Sequence, residues 1–555
     1  MKKLFYVFGF MCFCCGSAGA QYYLGVATGD WSSTTSLYLN PANIAERGER
    51  IAIDVFSVNA GVDNNLGHLS SSGGILGAIN RGSTDNLFSY DNTATFSLLA
   101  PHAEVHGPGI IFAINRKHSL ALTSRIRGFY QFNNFDRSLY RTIADPNYVV
   151  NGDVNLTSKN FNYTGHLWSE IGLSYGGVIF EKGIHKIKVG ATVRYLGGIG
   201  YVGFKGNNLD VHYKNGSDTL TASNSDIEFS SNLLTTKSAL LNGFSNNSIL
   251  SEFFGPKAGM GIGADFGIIY DISPKFYHGW STSANSNYFV RVSASVVDLG
   301  AITYGAGSNS NALLTGNGYI TGTGLANNVS NFTDFKNYAI RQGFNADTTH
   351  SATKVYMPAT FKMGADINVW WHFYANLLYV ANIANRNNFG NSYYNQFTIT
   401  PRFDSRLISI GLPFTFDKLT NSMKTGFGFR VSGFFCGSDD FLALFSNNQY
   451  GFNFYVGGYL PLGHPKAKEK DSDGDGVPDR LDNCPDEFGS KKNHGCPIEE
   501  PDNEHGGSAD SSDNCPDIYF GTLAPRNSHN SIQLPSFSEI TNVAETPKLD
   551  LYKRD

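Results

Sequence analysis

A two-residue alternation of apolar and polar side chains recurs along most of the chain and constrains its fold more than any other feature. Residues 187–195 place Ile, Val, Ala, Val and Tyr at odd positions, with Lys, Gly, Thr and Arg between them. The same alternation recurs over 290–296, 361–369 and 427–432. Because successive side chains of a β-strand point to opposite faces, each segment predicts a strand with one apolar and one polar face. Residues 51–463 therefore predict an all-β body.

A soluble sandwich of two sheets would show the same alternation, but three features favour a membrane barrel. Many of the predicted strands are long enough for a tilted bilayer crossing. Tight turns at 115–117 and 181–183 alternate with long loops rich in Asn, Ser and Gly around 63–92, 205–250 and 303–355, as in outer-membrane barrels. Tyr, Phe and Trp often begin or end the apolar faces, as interfacial girdles do. We therefore predict a closed transmembrane antiparallel β-barrel of about 14 strands.

The composition agrees with this class and excludes two others. The chain has 42 Lys and Arg against 47 Asp and Glu, a net charge of −5, whereas a nucleic-acid-binding protein carries a basic excess. No nucleic-acid partner is therefore expected. Aromatic residues make up 14% of the chain, which a disordered protein would not carry. No uninterrupted apolar run after the amino terminus is long enough to predict a membrane-spanning helix.

The first twenty residues have the pattern of a secretory signal. Lys2 and Lys3 supply the positive start, 4–15 are mostly apolar, and Ala18-Gly19-Ala20 matches the small-residue cleavage site. We expect cleavage after Ala20 and export. With the barrel pattern, this predicts the outer membrane of a Gram-negative cell, where lipid surrounds the protein.

Seven basic side chains fall on the polar faces of predicted strands, so we expect them to line the lumen. They are Arg125, Arg127, Lys188, Arg194, Arg291, Lys362 and Arg430. One interpretation is a solvated or internally ion-paired interior, with acids such as Asp298 and Asp366 as partners. The alternative is an anion-selective pore.

Asn40-Pro41-Ala42 stands just before the first predicted strand. An Asn-Pro-Ala in this position resembles the fatty-acid transporter superfamily of outer-membrane barrels, which includes secretion-associated relatives in Bacteroidota. The resemblance covers roughly 21–463. It implies that residues 21–50 fold into the barrel as a plug or hatch, and it implies no particular substrate.

The composition changes after Gly463, where 464–555 contain 19 acids and 10 bases. Within this tail, acidic residues stand at alternating positions around a glycine, the spacing of a calcium-binding loop. Ca²⁺ takes six to eight oxygen ligands, and this spacing wraps them around one ion. The predicted Ca²⁺ ligands are Asp471, Asp473, Asp475, the carbonyl of Val477, Asp479 and Asp482.

This motif, followed by Asn483-Cys484-Pro485, resembles a thrombospondin type 3 repeat as found in the linkers of OmpA-like proteins. The resemblance implies a disulfide between Cys484 and Cys496 and a periplasmic linker over 464–500. A peptidoglycan-binding domain normally follows in such proteins, but its Asn-x-x-Leu-Ser-x-x-Arg signature does not occur in 501–555. We therefore expect a degenerate or disordered tail there, possible remnant of that domain, with the cell wall or a periplasmic protein as partner.

No catalytic constellation stands out, so the chain is not expected to be an enzyme. His102, Glu104 and His106 share one face of a predicted strand and are interpreted as a lumen or rim cluster rather than a transition-metal site. The function predicted from the sequence is a structural, envelope-anchoring or transport-related role. The alternatives are a channel for hydrophobic small molecules and a surface adhesin.

Overall fold

The structure is a computed structural model that describes most of the chain between residues 23 and 497. The described residues are 23–82, 88–90, 98–134, 153–213, 219–232, 258–273, 288–306, 310–328, 332–349, 351–418, 420–463, 472–473, 477, 483–490 and 493–497. The chain divides into two compact units, Met1–Ala467 and Lys468–Asp555. The predicted signal at 1–20 and the tail at 501–555 lie outside the described residues.

The first unit is a closed antiparallel β-barrel of 14 strands, which confirms the predicted fold class. Several of the 14 wall strands are interrupted, and each of these is labelled as two consecutive short strands. The strands in chain order are β1 (Ile51–Asn64), β2 (Gly67–Leu69), β3 (Phe88–Tyr90), β4 (Leu98–His106), β5 (Gly109–Ala113), β6 (His118–Asn133), β7 (Val154–Lys182), β8 (His185–Tyr213), β9 (Thr219–Ser231), β10 (Gly259–Ile272), β11 (Val290–Tyr304), β12 (Ser310–Thr321), β13 (Asn345–Thr349), β14 (Thr353–Tyr356), β15 (Thr360–Trp370), β16 (Phe373–Asn382), β17 (Gln396–Asp404), β18 (Ile408–Gly411), β19 (Phe414–Asp417), β20 (Ser422–Thr425), β21 (Phe427–Val431), β22 (Phe434–Ser438) and β23 (Gly451–Leu462).

The barrel closes where its first and last strands meet. β1 pairs with β23 from Ile51 opposite Leu462 to Asp63 opposite Gly451, and its other edge pairs with β4 and β5. Three of the interrupted wall strands have a proline at the interruption, Pro108, Pro358 or Pro413, because proline cannot donate a hydrogen bond to the neighbouring strand. Closure leaves no free edge in the wall, as a membrane-spanning sheet requires.

The outward face of the wall is apolar. Leu173, Val193, Ile262 and Met363 are between 54% and 72% exposed. Such a continuous apolar surface is rare on water-soluble monomers but suits the hydrocarbon layer around an outer-membrane barrel. The predicted alternation therefore separates lipid from lumen.

The helical elements are short and lie outside the wall strands. They are α1 (Leu24–Ala27), α2 (Gly74–Arg81), α3 (Gly322–Asn328) and α4 (Phe332–Arg341), with 3-10 turns at Thr34–Tyr38, Pro41–Ile44 and Phe441–Leu444. Within the described part of the chain, none of the helices has the length and apolarity to span a bilayer.

The two ends of the barrel differ as the sequence predicts. The tight turns between β5 and β6 and between β7 and β8 lie at one end, which we call the short-turn end. The first strand starts and the last strand finishes at this end, since Arg50 donates to the Gly463 carbonyl. The opposite end carries most of the longer connections and is called the mouth; the connection 273–289 between β10 and β11 is an exception at the short-turn end.

The prediction of long irregular loops at the mouth was partly wrong. Much of 205–250 and 303–355 forms strands instead, because β7 and β8 are 29 residues long and extend beyond the wall. Their outer ends pair with each other, β8 pairs with β9, β9 with β12, and β12 with β13. We call this extension the rim sheet. Likewise, 63–92 contains β2, α2 and β3.

The second unit contains the expected disulfide. Cys484 and Cys496 are bonded, with their Cα atoms 5.0 Å apart. Around it, the Asn483 amide donates to the His494 carbonyl, so the two sides of the closed loop are also joined through the backbone.

Candidate functional site: the barrel lumen

Residues 23–50, here called the N-terminal segment, pack against the inner face of the wall. The Asn40 amide donates to the carbonyls of Ile268 on β10, at 3.2 Å, and Ala294 on β11, at 3.1 Å. Its side-chain oxygen accepts from the Ala42 amide at 2.9 Å, which caps the 3-10 turn that begins with Pro41. The Asn-Pro-Ala motif is therefore a docking element as well as a turn.

The wall is made of glycine where this motif docks. A Cβ on Gly190 would lie 2.3 Å from the Ala42 nitrogen, and one on Gly267 would lie 1.9 Å from the Asn40 side-chain oxygen. Neither position admits another residue without displacing the segment. The sequence of the wall is thus adapted to hold this segment in contact.

Ion pairs fix the same segment at the short-turn end. Glu46 pairs with Lys186 and, at 2.9 Å, with Lys188, both on β8. Asp30 lies 3.2 Å from a guanidinium nitrogen of Arg291, and its backbone amide donates to Asp404 at 2.7 Å. Charged contacts thus connect the segment to both sides of the lumen.

Further contacts hold the segment through its backbone. The Lys362 ammonium donates to the Tyr38 carbonyl at 2.6 Å. The Leu24 amide donates to the Asp439 carboxylate at 2.9 Å, and the Asn453 amide donates to the same carboxylate at 3.0 Å. Burial raises the pKa of Asp439 to about 7, although these hydrogen bonds act in the opposite direction.

A network of buried charges fills the middle of the lumen. Arg125 pairs with Glu170 at 2.7 Å and with Asp298 at 2.8 Å. Arg127 pairs with Glu104 at 2.9 Å and with Asp298 at 3.1 Å. The Tyr38 ring of the N-terminal segment lies 4.1 Å from the Arg125 guanidinium, within cation–π range.

The seven basic residues predicted to face the lumen all lie in this interior or at its short-turn end. Arg194 pairs with Asp298 and Asp265, and Arg291 pairs with Asp271 at 2.7 Å. Arg430 pairs with Asp404 at 3.2 Å and donates to nearby carbonyls. The contacts of Arg125, Arg127, Lys188 and Lys362 are those given above. Paired cations match the ion-paired interpretation of the interior rather than a chain of free cations in a pore.

Sequence reasoning missed several basic residues of the same interior. Arg402 makes two contacts with Asp366, at 2.7 and 2.9 Å, and Lys424 pairs with Asp63 and, at 3.2 Å, with Asp417. Arg402 follows Thr398 and Thr400 on one face of β17. Extending the same alternation rule to this strand would have found it.

At the mouth, the connection 383–395 between β16 and β17 folds into the lumen. We call it the mouth loop. Gln131 exchanges two 2.7 Å hydrogen bonds with the backbone of Ser392, and the Asn162 amide donates to the Asn388 carbonyl at 2.7 Å. Arg127 donates to the Tyr393 hydroxyl at 2.5 Å. The loop therefore reaches the top of the charge network.

An apolar cluster lies beneath the mouth loop. Its members come from four or more wall strands and from the loop itself, and all are buried. They are Phe129, Trp168, Leu196, Tyr201, Ile302, Tyr304, Val355, Met357, Phe389 and Tyr393. The lumen therefore has a charged middle and an apolar layer above it.

The spaces that remain are small. A polar cavity of about 60 Å³ lies between the N-terminal segment and the wall, beside Ser36, Asn43 and Lys188. Another of about 30 Å³ lies beside Tyr38, Glu104 and Arg127. A water needs about 10–15 Å³ of such space, so these cavities have room for a few waters each.

The histidines on β4 lie beside the charge network. His102, Glu104 and His106 are buried on one face, but Glu104 is paired with Arg127 and lies 3.2 Å from His106. No group of three or more metal-binding side chains occurs among the residues that the structure describes.

The predicted calcium loop lies largely outside the described residues. Asp471, Asp475, Asp479 and Asp482 are outside them, whereas Asp473 and the buried Val477 are inside. Calcium binding in the tail stays a prediction.

A protein-family model matches most of the barrel. The family is described as a family of unknown function, DUF5723, and its model matches residues 41–439. The chain belongs to the DUF5723 family. No curated protein matches the chain.

Several solved structures match the chain at low sequence identity. The Ralstonia pickettii toluene transporter TbuX is 10% identical, with a TM-score of 0.34, over 80% of this chain and 95% of that one. A Pseudomonas aeruginosa FadL homologue is 10% identical, with a TM-score of 0.24, over 80% of this chain and 100% of that one. The Escherichia coli outer-membrane protease OmpT is 8% identical, with a TM-score of 0.20, over 74% of this chain and 93% of that one.

The DUF5723 match begins at Pro41, inside the docking motif, and ends at Asp439, which receives the Leu24 amide. It therefore spans the charge network and the mouth loop. The calcium motif and the disulfide lie beyond it.

Proposed function

We propose that this protein is an outer-membrane anchor, a barrel with a filled lumen that holds a calcium-binding linker on the periplasmic side. The observation that supports the anchoring role is the filling of the described lumen at both ends. Residues 23–50 occupy the short-turn end and 383–395 occupy the mouth, with a paired charge network between them. A barrel built for free diffusion would leave a wet channel instead.

The direction of chain exit supports a periplasmic linker. The last strand ends at Leu462, opposite Ile51, at the short-turn end. In outer-membrane barrels the short turns face the periplasm. The linker at 464–500 and whatever follows it would therefore start on the periplasmic side, where the cell wall or a periplasmic protein is the partner.

Conductance tests the anchoring role. The full chain, reconstituted in planar bilayers, should give no stable open-channel current at any moderate voltage. A steady ohmic conductance of the wild type would contradict the proposal, because it requires a water-filled path that the anchor lacks.

Calorimetry tests the calcium-binding linker. Calcium titrated into the full chain in detergent should give a saturable heat, and the double variant Asp473→Ala, Asp475→Ala should remove it. The matched control is Asp502→Ala, Asp510→Ala, which deletes two acids of the same tail outside the motif. Equal heats from all three proteins would end this part of the proposal.

A channel for hydrophobic small molecules is the second candidate. The apolar cluster beneath the mouth loop supports it, since displacement of that loop would expose Phe129, Trp168 and Tyr304 to an entering ligand. Uptake of a fluorescent fatty acid into proteoliposomes is the test. Uptake that rises when residues 385–391 are deleted would favour this candidate over the anchor.

A further inference from the structure

A polar pocket at the mouth lies apart from the charge network. It is formed by the concave face of the rim sheet and by the mouth loop, and it encloses about 180 Å³. For scale, an apolar cavity of about 150 Å³ admits one benzene ring. The pocket therefore has room for one six-membered ring with its substituents.

Strand register aligns the floor of the pocket. Asn162 on β7 lies opposite Lys205 on β8, Lys205 opposite Glu228 on β9, and Glu228 opposite Leu313 on β12. Side chains at opposed positions of neighbouring strands share one face. Four strands thus present one row of side chains, and Arg386 and Asn387 of the mouth loop face this row across the pocket.

Backbone irregularities aim additional amides into the pocket. The register of β7 against β8 skips Asn160 and Asn207, and Asn160 has a left-handed backbone with φ of 51°. Asn207 also lies where the register of β8 against β9 shifts, between Gly206 and Asn208, and such bulges redirect side chains and are common beside binding sites. Asparagine tolerates the left-handed region better than most residues, so Asn160 adopts this backbone conformation at a low cost in free energy.

The charges of the pocket balance. Its lining includes two bases, Lys205 and Arg386, and two acids, Asp226 and Glu228, so its formal net charge is 2 − 2 = 0. Lys205 and Glu228 lie 3.0 Å apart, and the Asn207 amide donates to Asp226 at 2.8 Å. An anionic ligand would compete with Glu228 for Lys205 and would meet the charge of Asp226, whereas an uncharged ligand leaves the ion pair intact.

Two amides of the pocket keep their hydrogen-bonding capacity for a ligand. Among the residues that the structure describes, no hydrogen bond is found for the exposed side chains of Asn160 and Asn387. A side-chain amide both donates and accepts, as a sugar hydroxyl does. Leu313, 40% exposed, adds an apolar patch against which the C–H face of a sugar ring can pack.

We propose that this pocket binds one neutral saccharide unit at the mouth of the barrel. The amides of Asn160 and Asn387 bond its hydroxyls, and the balanced charges of the lining give an ionised sugar no net attraction. This site goes beyond the proposed anchoring role, although Arg386 and Asn387 belong to the mouth loop that also closes the lumen; loss of sugar binding with no change in conductance would separate the two proposals.

Saturation-transfer difference NMR on the full chain tests the site. The detergent should be lauryldimethylamine oxide, which carries no sugar that would compete. The probes are methyl α-D-glucopyranoside, methyl α-D-galactopyranoside and the anionic glucuronate. At least one methyl glycoside should receive saturation at millimolar concentration, and glucuronate should not displace it.

Variants locate the binding. Asn160→Ala and Asn387→Ala should each weaken the apparent affinity about 2–10-fold, the loss of one hydrogen bond. Leu313→Trp should fill the pocket and abolish binding. Asn447→Ala, a matched change of an exposed asparagine in another mouth connection, should leave the affinity unchanged.

Three outcomes would overturn the proposal. They are no saturation transfer to either methyl glycoside, stronger binding of glucuronate than of the neutral sugars, or equal affinities for the wild type and the two asparagine variants. Asn387 lies in a loop, so Asn387→Ala keeps the test valid even if a change in the rim sheet prevents folding.

Discussion

The two closures of the lumen are built from different interactions. The N-terminal segment is held at the short-turn end by buried ion pairs, such as Glu46 with Lys188. The mouth loop is held mostly by neutral hydrogen bonds, such as those of Gln131 with Ser392, with the Arg127–Tyr393 bond as an exception. Removing one partner of a buried ion pair costs about 3–5 kcal/mol, whereas a neutral hydrogen bond contributes about 0.5–1.5 kcal/mol.

Because of this difference, we expect the two closures to differ in mobility. The N-terminal segment should stay docked in every state of the folded barrel, because glycines in the wall let it pack at close range and buried ion pairs hold it there. The mouth loop should open first, since its bonds are individually weak and lie next to water. Opening the loop alone would expose the apolar cluster but leave the charge network closed.

Deleting residues 28–47 should have the largest effect on this arrangement. The deletion removes Asp30, Tyr38, Glu46 and the docking motif, so water should enter the short-turn half of the lumen. The mouth loop still covers the other end, so we expect intermittent currents in planar bilayers as this weakly held loop opens, where the intact chain gives none. Heat-modifiable migration in gels checks that the barrel still assembles.

Deleting residues 385–391 of the mouth loop is the matched comparison. Because the N-terminal segment remains, this variant should stay closed to ions. Equal conductance of the two deletions would refute the idea that the N-terminal segment is the fixed closure.

Lys188→Met should lower the stability of the docked state by the next largest amount. Lys188 is buried and contacts Glu46 and Asp271, both at 2.9 Å. Loss of the ammonium leaves Glu46 and Asp271 with one cation fewer, so the free energy of unfolding should fall by about 3–5 kcal/mol. Denaturant titration in lipid vesicles measures it.

Lys117→Met supplies the control for that measurement. Lys117 also pairs with an acid, Glu181 at 2.8 Å, but its side chain is 53% exposed. An exposed pair contributes about 0–1 kcal/mol, so this variant should unfold almost as the wild type does. Similar losses for both lysines would show that burial does not distinguish these pairs.

The wall of the barrel could be predicted from the sequence because each strand separates two solvents. Val189 and Val193 face outward while Lys188 and Arg194 face the lumen, so the alternation is strong and the strand count of about 14 is confirmed. The Cys484–Cys496 disulfide could be predicted for another reason, because the motif whose resemblance implied it lies within one short stretch of sequence.

The rim sheet could not be predicted in this way. The apolar face of β9 and β12 is short, with Ala222 and Leu314 packed against Ala339, and their Asn and Ser content resembles that of loops, so the alternation is too weak to mark them as strands. The sequence also could not show which residues form ion pairs with each other in the lumen. Arg125 and Asp298 are 173 residues apart, and only closure of the barrel brings them together.

Gln131→Ala should loosen the mouth loop with a smaller effect. The two 2.7 Å bonds between Gln131 and Ser392 are lost, for about 1–3 kcal/mol in the local opening of the loop. Hydrogen exchange should accelerate in 388–395 and remain unchanged in 28–47. Faster exchange in both regions would mean that the two closures are coupled rather than independent.

The pH dependence of docking at Asp439 should be the smallest effect. Burial raises the pKa of Asp439 from 3.8 to about 7, so the folded state holds this proton over a range where the unfolded state has released it. The free energy of unfolding must therefore fall as pH rises through this window, and the part due to Asp439 levels off above about pH 7. Between pH 6 and 8 the loss from this group should be about 1 kcal/mol.

Asp439→Asn separates this contribution from that of its neighbour. Burial also raises the pKa of Asp440, to about 8, and acts in the same direction, so the variant should reduce the pH slope without abolishing it. Because the Leu24 amide bonds to Asp439, hydrogen exchange at 24–27 should accelerate between pH 6 and 8 beyond the intrinsic increase in the wild type only. If the unfolding free energy of Asp439→Asn changed with pH as steeply as that of the wild type, the titrating group would be a different residue. The start of the N-terminal segment would then be held as firmly as its charged middle.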